Sequence, residues 1–257
     1  MSESVIGAKQ TCYAVMFAER LGFVEALAMQ MEICELKKAG FAPDVLLLLE
    51  HEPVITLGRN GDWHNLLVSE ETLRMRGVSR HHIDRGGDIT FHGPGQLVGY
   101  PLLRLERHEQ DVHRYMRNLE EAVVCVLRDY GIEAGRQEKL TGVWTSSGKI
   151  CAMGVHISRW ITRHGLALNV NTDLSYYDLI VPCGLQGKQI ASMQSILGFE
   201  VDVREVAEKL REHFGRIFER EMVPVPDLGF LDSARENASS KSSQFSTGIQ
   251  ADGALKQ

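Results

Sequence analysis

Between residues 111 and 130 apolar side chains recur at helical spacing. Val112, Tyr115, Met116, Leu119, Val123, Val126, Leu127 and Tyr130 share one stripe. That pattern predicts an amphipathic helix lying on a core. A second stripe of Val203, Val206, Leu210, Phe214, Ile217 and Phe218 predicts a last helix starting at Asp202, with Glu205 placed to complete a capping arrangement. Residues 17–39 predict a third helix, ended by Gly40. Ser69, followed by Glu70 and Glu71, predicts the cap of a short helix that runs to Arg76 and is closed by Gly77.

Between the helices the pattern changes to short apolar runs punctuated by glycine. "DVLLLLEH" (44–51) and "PVITLG" (53–58) predict strands, the first buried on both faces. "VSRHHID" (78–84), "DITFH" (88–92) and "QLVGYPLL" (96–103) predict three more. So do "GVWTSS" (142–147), "KICAMGVHIS" (149–158) and "GLALNVN" (165–171). No regular βαβ alternation and no internal repeat is present. The expected fold class is therefore α+β, a mixed or antiparallel sheet with packed helices. After Pro226 the character shifts, and "ASSKSSQFSTGIQADGALKQ" is polar and aperiodic. The expectation is a catalytic domain over residues 1–230 and a disordered tail over residues 231–257.

Composition narrows the function classes. A chain of 257 residues with 44% hydrophobic content can bury a substantial core. A net charge of -6 argues against nucleic-acid binding through the overall field. No run of 18 apolar residues exists to span a membrane, and "MSESVIGAKQ" lacks the basic start and apolar core of a signal peptide. The cysteines are Cys12, Cys34, Cys125, Cys151 and Cys183, an odd set without a CxxC pair. That disfavours a disulfide framework or a zinc ribbon and points to a reducing cytoplasm.

Two segments carry candidate chemistry. "RGGDITFHGPGQLVGY" (85–100) holds five glycines with Arg85, His92 and Gln96 interleaved. Glycines let a ligand approach the main chain, but the spacing is neither a dinucleotide fingerprint nor a P-loop. His81, His82 and His92 fit no standard metal spacing, so no metal is expected. The second segment is "VPCGLQGKQ" (181–189), with Cys183 between Pro182 and Gly184. Its thiol is open to three readings: nucleophile, metal ligand or small apolar residue. Lys149 opens a strand whose alternation puts Lys149, Cys151 and Met153 on one face. An ammonium group near a thiol lowers its pKa and raises its thiolate fraction. Spacing alone does not bring Lys149 and Cys183 together.

Taken with "PVITLG", the stretches "RGGDITFHGPGQLVGYPLL" and "GKICAMGVHISRWITRHGLALNVNTDLSYYDLIVPCGL" closely resemble the lipoyl(octanoyl) transferase family. The resemblance covers roughly residues 12 to 220. It implies the biotin/lipoate protein ligase catalytic-domain fold. It implies transfer of an octanoyl group from octanoyl-acyl carrier protein, through a cysteine thioester, to a lysine of lipoyl domains. The acceptors would be the E2 subunits of 2-oxoacid dehydrogenases and the glycine-cleavage H protein, and no cofactor is implied. The implied nucleophile is Cys183 and the implied tuning lysine is Lys149. The implied substrate-binding stretches are Arg85, Gly86, Gly87, Asp88, Ile89, Thr90, Phe91 and His92; Ala152, Met153 and Gly154; and Gly165, Leu166 and Ala167. Cys151 is expected to be a buried neighbour in the acyl pocket. Arg74, Arg76, Arg80 and Arg85, with Arg159, Arg163 and His164, are expected to offer a basic face to the carrier protein. Two other readings compete: an ATP-dependent lipoate or biotin ligase on the same fold, and a non-catalytic carrier-protein binding module.

Overall fold

The computed structural model describes residues 9–181 and 189–248, with side chains as far as residue 240. Eleven strands are described: β1 Gln10–Met16, β2 Asp44–Leu49, β3 Val54–Leu57, β4 Ser79–His82, β5 Ile89–His92, β6 Gln96–Leu102, β7 Gly135–Gln137, β8 Leu140–Thr145, β9 Gly148–Ser158, β10 Ile161–Asn169 and β11 Arg220–Val225. The helices are α1 Phe23–Lys38, α2 Glu70–Met75, α3 Val112–Asp129, α4 Met193–Leu197, α5 Val203–Ile217 and α6 Asp232–Gly248.

Eight strands form the main sheet in the order β11-β1-β2-β6-β10-β9-β8-β7. β11, β1 and β2 run parallel, and every later neighbour is antiparallel. β4, β3 and β5 form a separate three-stranded sheet. The α+β expectation of a mixed sheet with packed helices holds. β2 shows why "DVLLLL" lacks alternation. Leu46 and Leu48 enter the core under α3 and α5, while Val45, Leu47 and Leu49 face α1. Both faces of the strand are covered, so every residue is apolar apart from Asp44.

Asp44 begins β2 fully buried and is held by three donors. Lys37 Nζ lies 2.6 Å away, the Arg104 amide 2.8 Å and Arg220 Nε 3.1 Å. Arg220 also pairs with Glu109, so the network ties α1, β2 and β11 together. A charge buried at this depth is tolerable only with such partners.

The predicted helices at 111–130 and after Asp202 are α3 and α5, capped by Asp111 and Asp202. The Asp202 cap bonds the Arg204 amide, and Glu205 turns instead toward Lys209 at 3.8 Å. Ser69 caps α2 as expected. α1 starts at Phe23 rather than at residue 17. The Phe17 and Leu21 amides donate to Leu48 O and Glu50 O, so this stretch prolongs the pairing of β1 with β2. The expectation of a disordered tail fails over Asp232–Gly248, which is helical. Leu231 is fully buried, Ala234 is buried, Phe230 stacks on Tyr13 at 4.6 Å, and Arg235 pairs with Glu32 at 2.7 Å. A few anchors on one side hold this polar segment against the domain.

Candidate active site

The site forms where the small sheet leans on the middle of the large one. Arg85, just after β4, turns inward and is buried. Its Nη2 donates to Thr56 O (2.8 Å) and Thr56 Oγ1 (2.9 Å) on β3, and its Nη1 donates to Gly86 O. Thr56 Oγ1 lies 3.3 Å from His92 Nε2, and His92 Nδ1 lies 2.8 Å from Gln96 Oε1. Gln96 Nε2 donates to Phe91 O and to Asn169 Oδ1 (2.9 Å). Asn169 Nδ2 donates to Ala191 O, and the Ala191 amide donates to Lys149 O (3.0 Å). Gln96 spends its amide hydrogens on these acceptors, so its oxygen must accept from His92 Nδ1–H. His92 Nε2 then accepts from the Thr56 hydroxyl. One unbroken polar chain therefore runs from Arg85 to the backbone of Lys149.

Burial sets the protonation of the histidines. His92 is pushed down to about 3, mainly by desolvation, with the charges of His51 and Arg85 adding to it. His51 and His164 are pushed down to about 4, again chiefly by burial. All three are neutral at pH 7, and Tyr100 is held above its ordinary range by burial. His51 takes the Tyr100 hydroxyl on Nε2 (2.7 Å) and donates Nδ1–H to Leu21 O. His164 Nε2 lies 2.8 Å from Asp84 Oδ1, and Arg163 pairs with the other oxygen. Burial works against the Asp84 carboxylate, but His164 and Arg163 together hold its pKa below the usual range.

Lys149 opens β9 buried, with Nζ 5.5 Å from the Trp144 ring centroid. Two glycines make room for it. A Cβ on Gly142 (φ 113°) would fall 2.7 Å from Lys149 Cε, and one on Gly148 (φ 134°) would fall 2.3 Å from Gln189 O. The Lys149 amide donates to that same Gln189 O at 2.9 Å, and Lys149 bridges Ile190. On the other flank, the Val181 amide donates to Asn65 O (2.7 Å) and Ile180 bridges Leu66. Cys183 lies between these two anchors, outside the described residues.

Two cavities adjoin along β9 from Lys149 to Gly154. One is narrow, about 40 Å³, and lies against β9 and β10, reaching Phe23, Ile83 and Tyr100. The other is a wider cleft of about 460 Å³, walled by Val112, Met116, Leu140 and Trp144. Met153 lines both. Residues 23–215 match the family of lipoyl protein ligase A/B catalytic domains. The chain belongs to that family.

Its relatives in the lipoyl protein ligase A/B family include the octanoyltransferase of Solibacter usitatus, 53% identical over 209 residues, spanning 81% of this chain and 94% of that one. The octanoyltransferase of Caldicellulosiruptor saccharolyticus is 44% identical over 206 residues, spanning 79% and 88%. Among solved structures, a lipoate-protein ligase A bound with ATP superposes with a TM-score of 0.67 at 17% identity, covering 89% of this chain and 93% of that one. A bipartite lipoate protein ligase from Thermoplasma acidophilum gives 0.66 at 19% identity, covering 89% and 91%. At that identity the structural likeness shows the fold alone.

Within this lipoyl protein ligase A/B domain the sequence-predicted site residues separate cleanly. Arg85, Thr90, His92, Ala152, Gly165, Leu166 and Ala167 line the narrow cavity. Gly86 and Asp88 line the wide cleft, while Gly87, Met153, Gly154 and Lys149 line both. Ile89 and Phe91 do neither. Alternation along β5 turns them into the core of the small sheet, where Phe91 stacks on Tyr176 at 4.5 Å. Cys151 is fully buried in the main core and its thiol is pushed up to about 12 by desolvation. It packs with Ile150 and Val143 rather than lining either cavity.

The expected basic face keeps only some of its members. Arg85 and His164 are buried and Arg163 pairs with Asp84, whereas Arg74, Arg76, Arg80 and Arg159 are exposed, Arg80 paired with Glu70 over Trp63 and Arg74 facing Glu71 at 4.0 Å. Sequence reasoning missed Phe23, Ile83, Tyr100 and His164 on the cavity wall, and Thr56, Asn169 and Tyr177 behind it. The available signal was a polar residue inside an apolar strand, as with Asn169 in "LALNV" and Thr56 in "VITLG".

Proposed function

We infer that this chain is an octanoyltransferase of protein lipoylation. It takes the octanoyl group from an acyl carrier protein and transfers it to a lysine of lipoyl domains. The observation that carries this reading is 53% identity to an octanoyltransferase across nearly the whole of that relative. A narrow apolar cavity ending beside a buried lysine supports it. The ligase reading has weaker support, because its lipoate-ligase neighbours share only the fold.

In the proposed mechanism the Cys183 thiolate attacks the thioester carbonyl of the donor. The donor C–S bond breaks, the carrier sulfur takes a proton from the Lys149 ammonium and leaves as a thiol, and the octanoyl group rests on Cys183. The acceptor amine then attacks that thioester, an amide forms, and the Cys183 thiolate leaves. One thioester replaces another and an amide replaces the second, so no nucleotide is consumed. Lys149 Nζ supplies positive charge to the thiolate, gives its proton to the departing carrier sulfur and, neutral after that step, receives the amine proton in the second. The described anchors favour this pairing, since the segment from Gln189 to Ala191 is bonded to the Lys149 backbone. Met153, whose thioether adapts its shape, gives the narrow cavity room to open around an alkyl chain. The donor and acceptor partners follow from the family reading, as does a cytoplasmic setting. No helix among the described residues is long and apolar enough to cross a membrane.

The test is a single incubation of the protein with octanoyl-carrier protein and apo lipoyl domain, without ATP. The lipoyl domain should gain the mass of one octanoyl group. Transfer that appears only with free fatty acid and ATP would establish the ligase instead.

A further inference from the structure

We propose that Phe23 and Ile83 form the end wall of the narrow cavity and set the length of the acyl chain. The inference rests on the octanoyltransferase reading and extends it to a specificity determinant.

The cavity has a direction fixed by sheet register. Lys149 opens β9, and the lining then passes through the cross-strand pairs Ala152–Ala167 and Gly154–Gly165. Gly99 pairs with Leu166, which sets Tyr100 level with Gly165. The Tyr100 hydroxyl bonds His51, and the His51 ring sits 5.5 Å from the ring of Phe23. Phe23 and Ile83 share a small cluster with Val54, apart from the cores of both sheets. They therefore stand at the end remote from Lys149. Both are nearly closed to solvent, at 4% and 8% exposure, and offer a buried apolar wall there.

The lengths agree. At ~3.3 Å per residue, the Gly154 level lies roughly 16 Å along β9 from the Lys149 Cα. An extended eight-carbon acyl chain covers about 9 Å at ~1.3 Å per carbon, from a C–C bond of ~1.5 Å. The lysine side chain takes up part of the rest. The middle of the cavity is walled by Ala152, Met153, Leu166 and Ala167, which offer no polar atom to the chain. The polar side chains on this wall are spent on the protein, His164 on Asp84, Arg85 on Thr56, and His92 on Thr56 and Gln96, which leaves Phe23 and Ile83 as the apolar surface an ω-methyl group meets.

The experiment compares hexanoyl-, octanoyl-, decanoyl- and dodecanoyl-carrier protein as donors in competition, with transfer read by intact mass of the lipoyl domain. Wild type should favour octanoyl over decanoyl by at least ~10-fold, the scale of discrimination available to a methylene in an apolar pocket. Phe23→Leu and Ile83→Ala should each move the decanoyl-to-octanoyl ratio upward by about 10-fold or more. Ile83→Phe should move it the other way and raise the hexanoyl share. Melting curves identify any variant that fails to fold, and Ile83→Val then serves as the mild probe, with a smaller upward shift expected. Wild type that moves octanoyl yet shows no preference, or folded variants that keep the wild-type ratios, would overturn the end-wall assignment. Wild type that moves no acyl group from carrier protein would overturn the transferase reading as well, so the two failures are distinct.

Discussion

Three histidines around the cavity make stability steeply dependent on pH. His51, His92 and His164 are buried and drop from an ordinary 6.5 to about 4, about 3 and about 4. Each is neutral in the folded chain and is released to its ordinary value on unfolding. The unfolded chain thus binds more protons, and stability is lost as pH falls from 6.5 toward 4. With three protons taken up on unfolding, the slope between pH 6 and pH 5 should approach ~4 kcal/mol per pH unit. Asp84, Glu32 and Glu109, whose carboxyls are held low by their partners, weaken the fold in the same direction but below that window. Urea denaturation followed by tryptophan fluorescence, repeated at half-unit steps, gives the slope directly. His92→Gln should lower it by the equivalent of one proton, ~1.4 kcal/mol per pH unit. A wild-type slope below that one-proton value would refute the reasoning, because the histidines would then be protonated inside the fold.

Other outcomes follow from the site and its frame. Lys149→Ala should fold, lose roughly 100-fold or more in kcat/KM, and slow alkylation of Cys183 at neutral pH; alkylation unchanged across the pH range would remove the charge role. Cys183→Ala should abolish a hydroxylamine-labile octanoyl adduct seen by mass spectrometry, whereas Cys151→Ala, at a thiol pushed up to about 12, should keep it. Leu231→Ala should cost about 2–4 kcal/mol in urea titrations, since this fully buried side chain anchors the start of α6. No measurable loss would show that α6 is held by its surface ion pairs.

Periodicity reveals elements that have one wet and one dry face. α3 and α5 are such elements, and apart from Val112, exposed beside the wide cleft, their stripes pack in the core. α1 is harder to place because it buries Gln30 and Lys37 among its apolar residues, each serving a distant partner. β1 and β11 escape detection for another reason. "QTCYAVM" mixes faces, and "REMVPV" carries Pro224, which an edge strand can tolerate. In the site, the glycines and Arg85 are visible because they break local rules. The alignment of Gln96 with Asn169 is not, since 73 positions separate them and only the β6–β10 register brings them together. Ile89 and Phe91 show the converse: on a strand that borders a cavity, every second residue turns away from it.

The parallel arrangement at one edge of the large sheet also bears on how the chain is made. β1 pairs with β11, ~200 residues later, as well as with β2. During synthesis the outer edge of β1 has no neighbour until Arg220–Val225 leaves the ribosome, and one oxygen of Asp44 waits as long for Arg220. The cavity strands β6, β9 and β10 are by then already available to pair with one another. The cavity-bearing half of the sheet can therefore assemble on the nascent chain, and the buried ion network locks it only once Arg220 has been made.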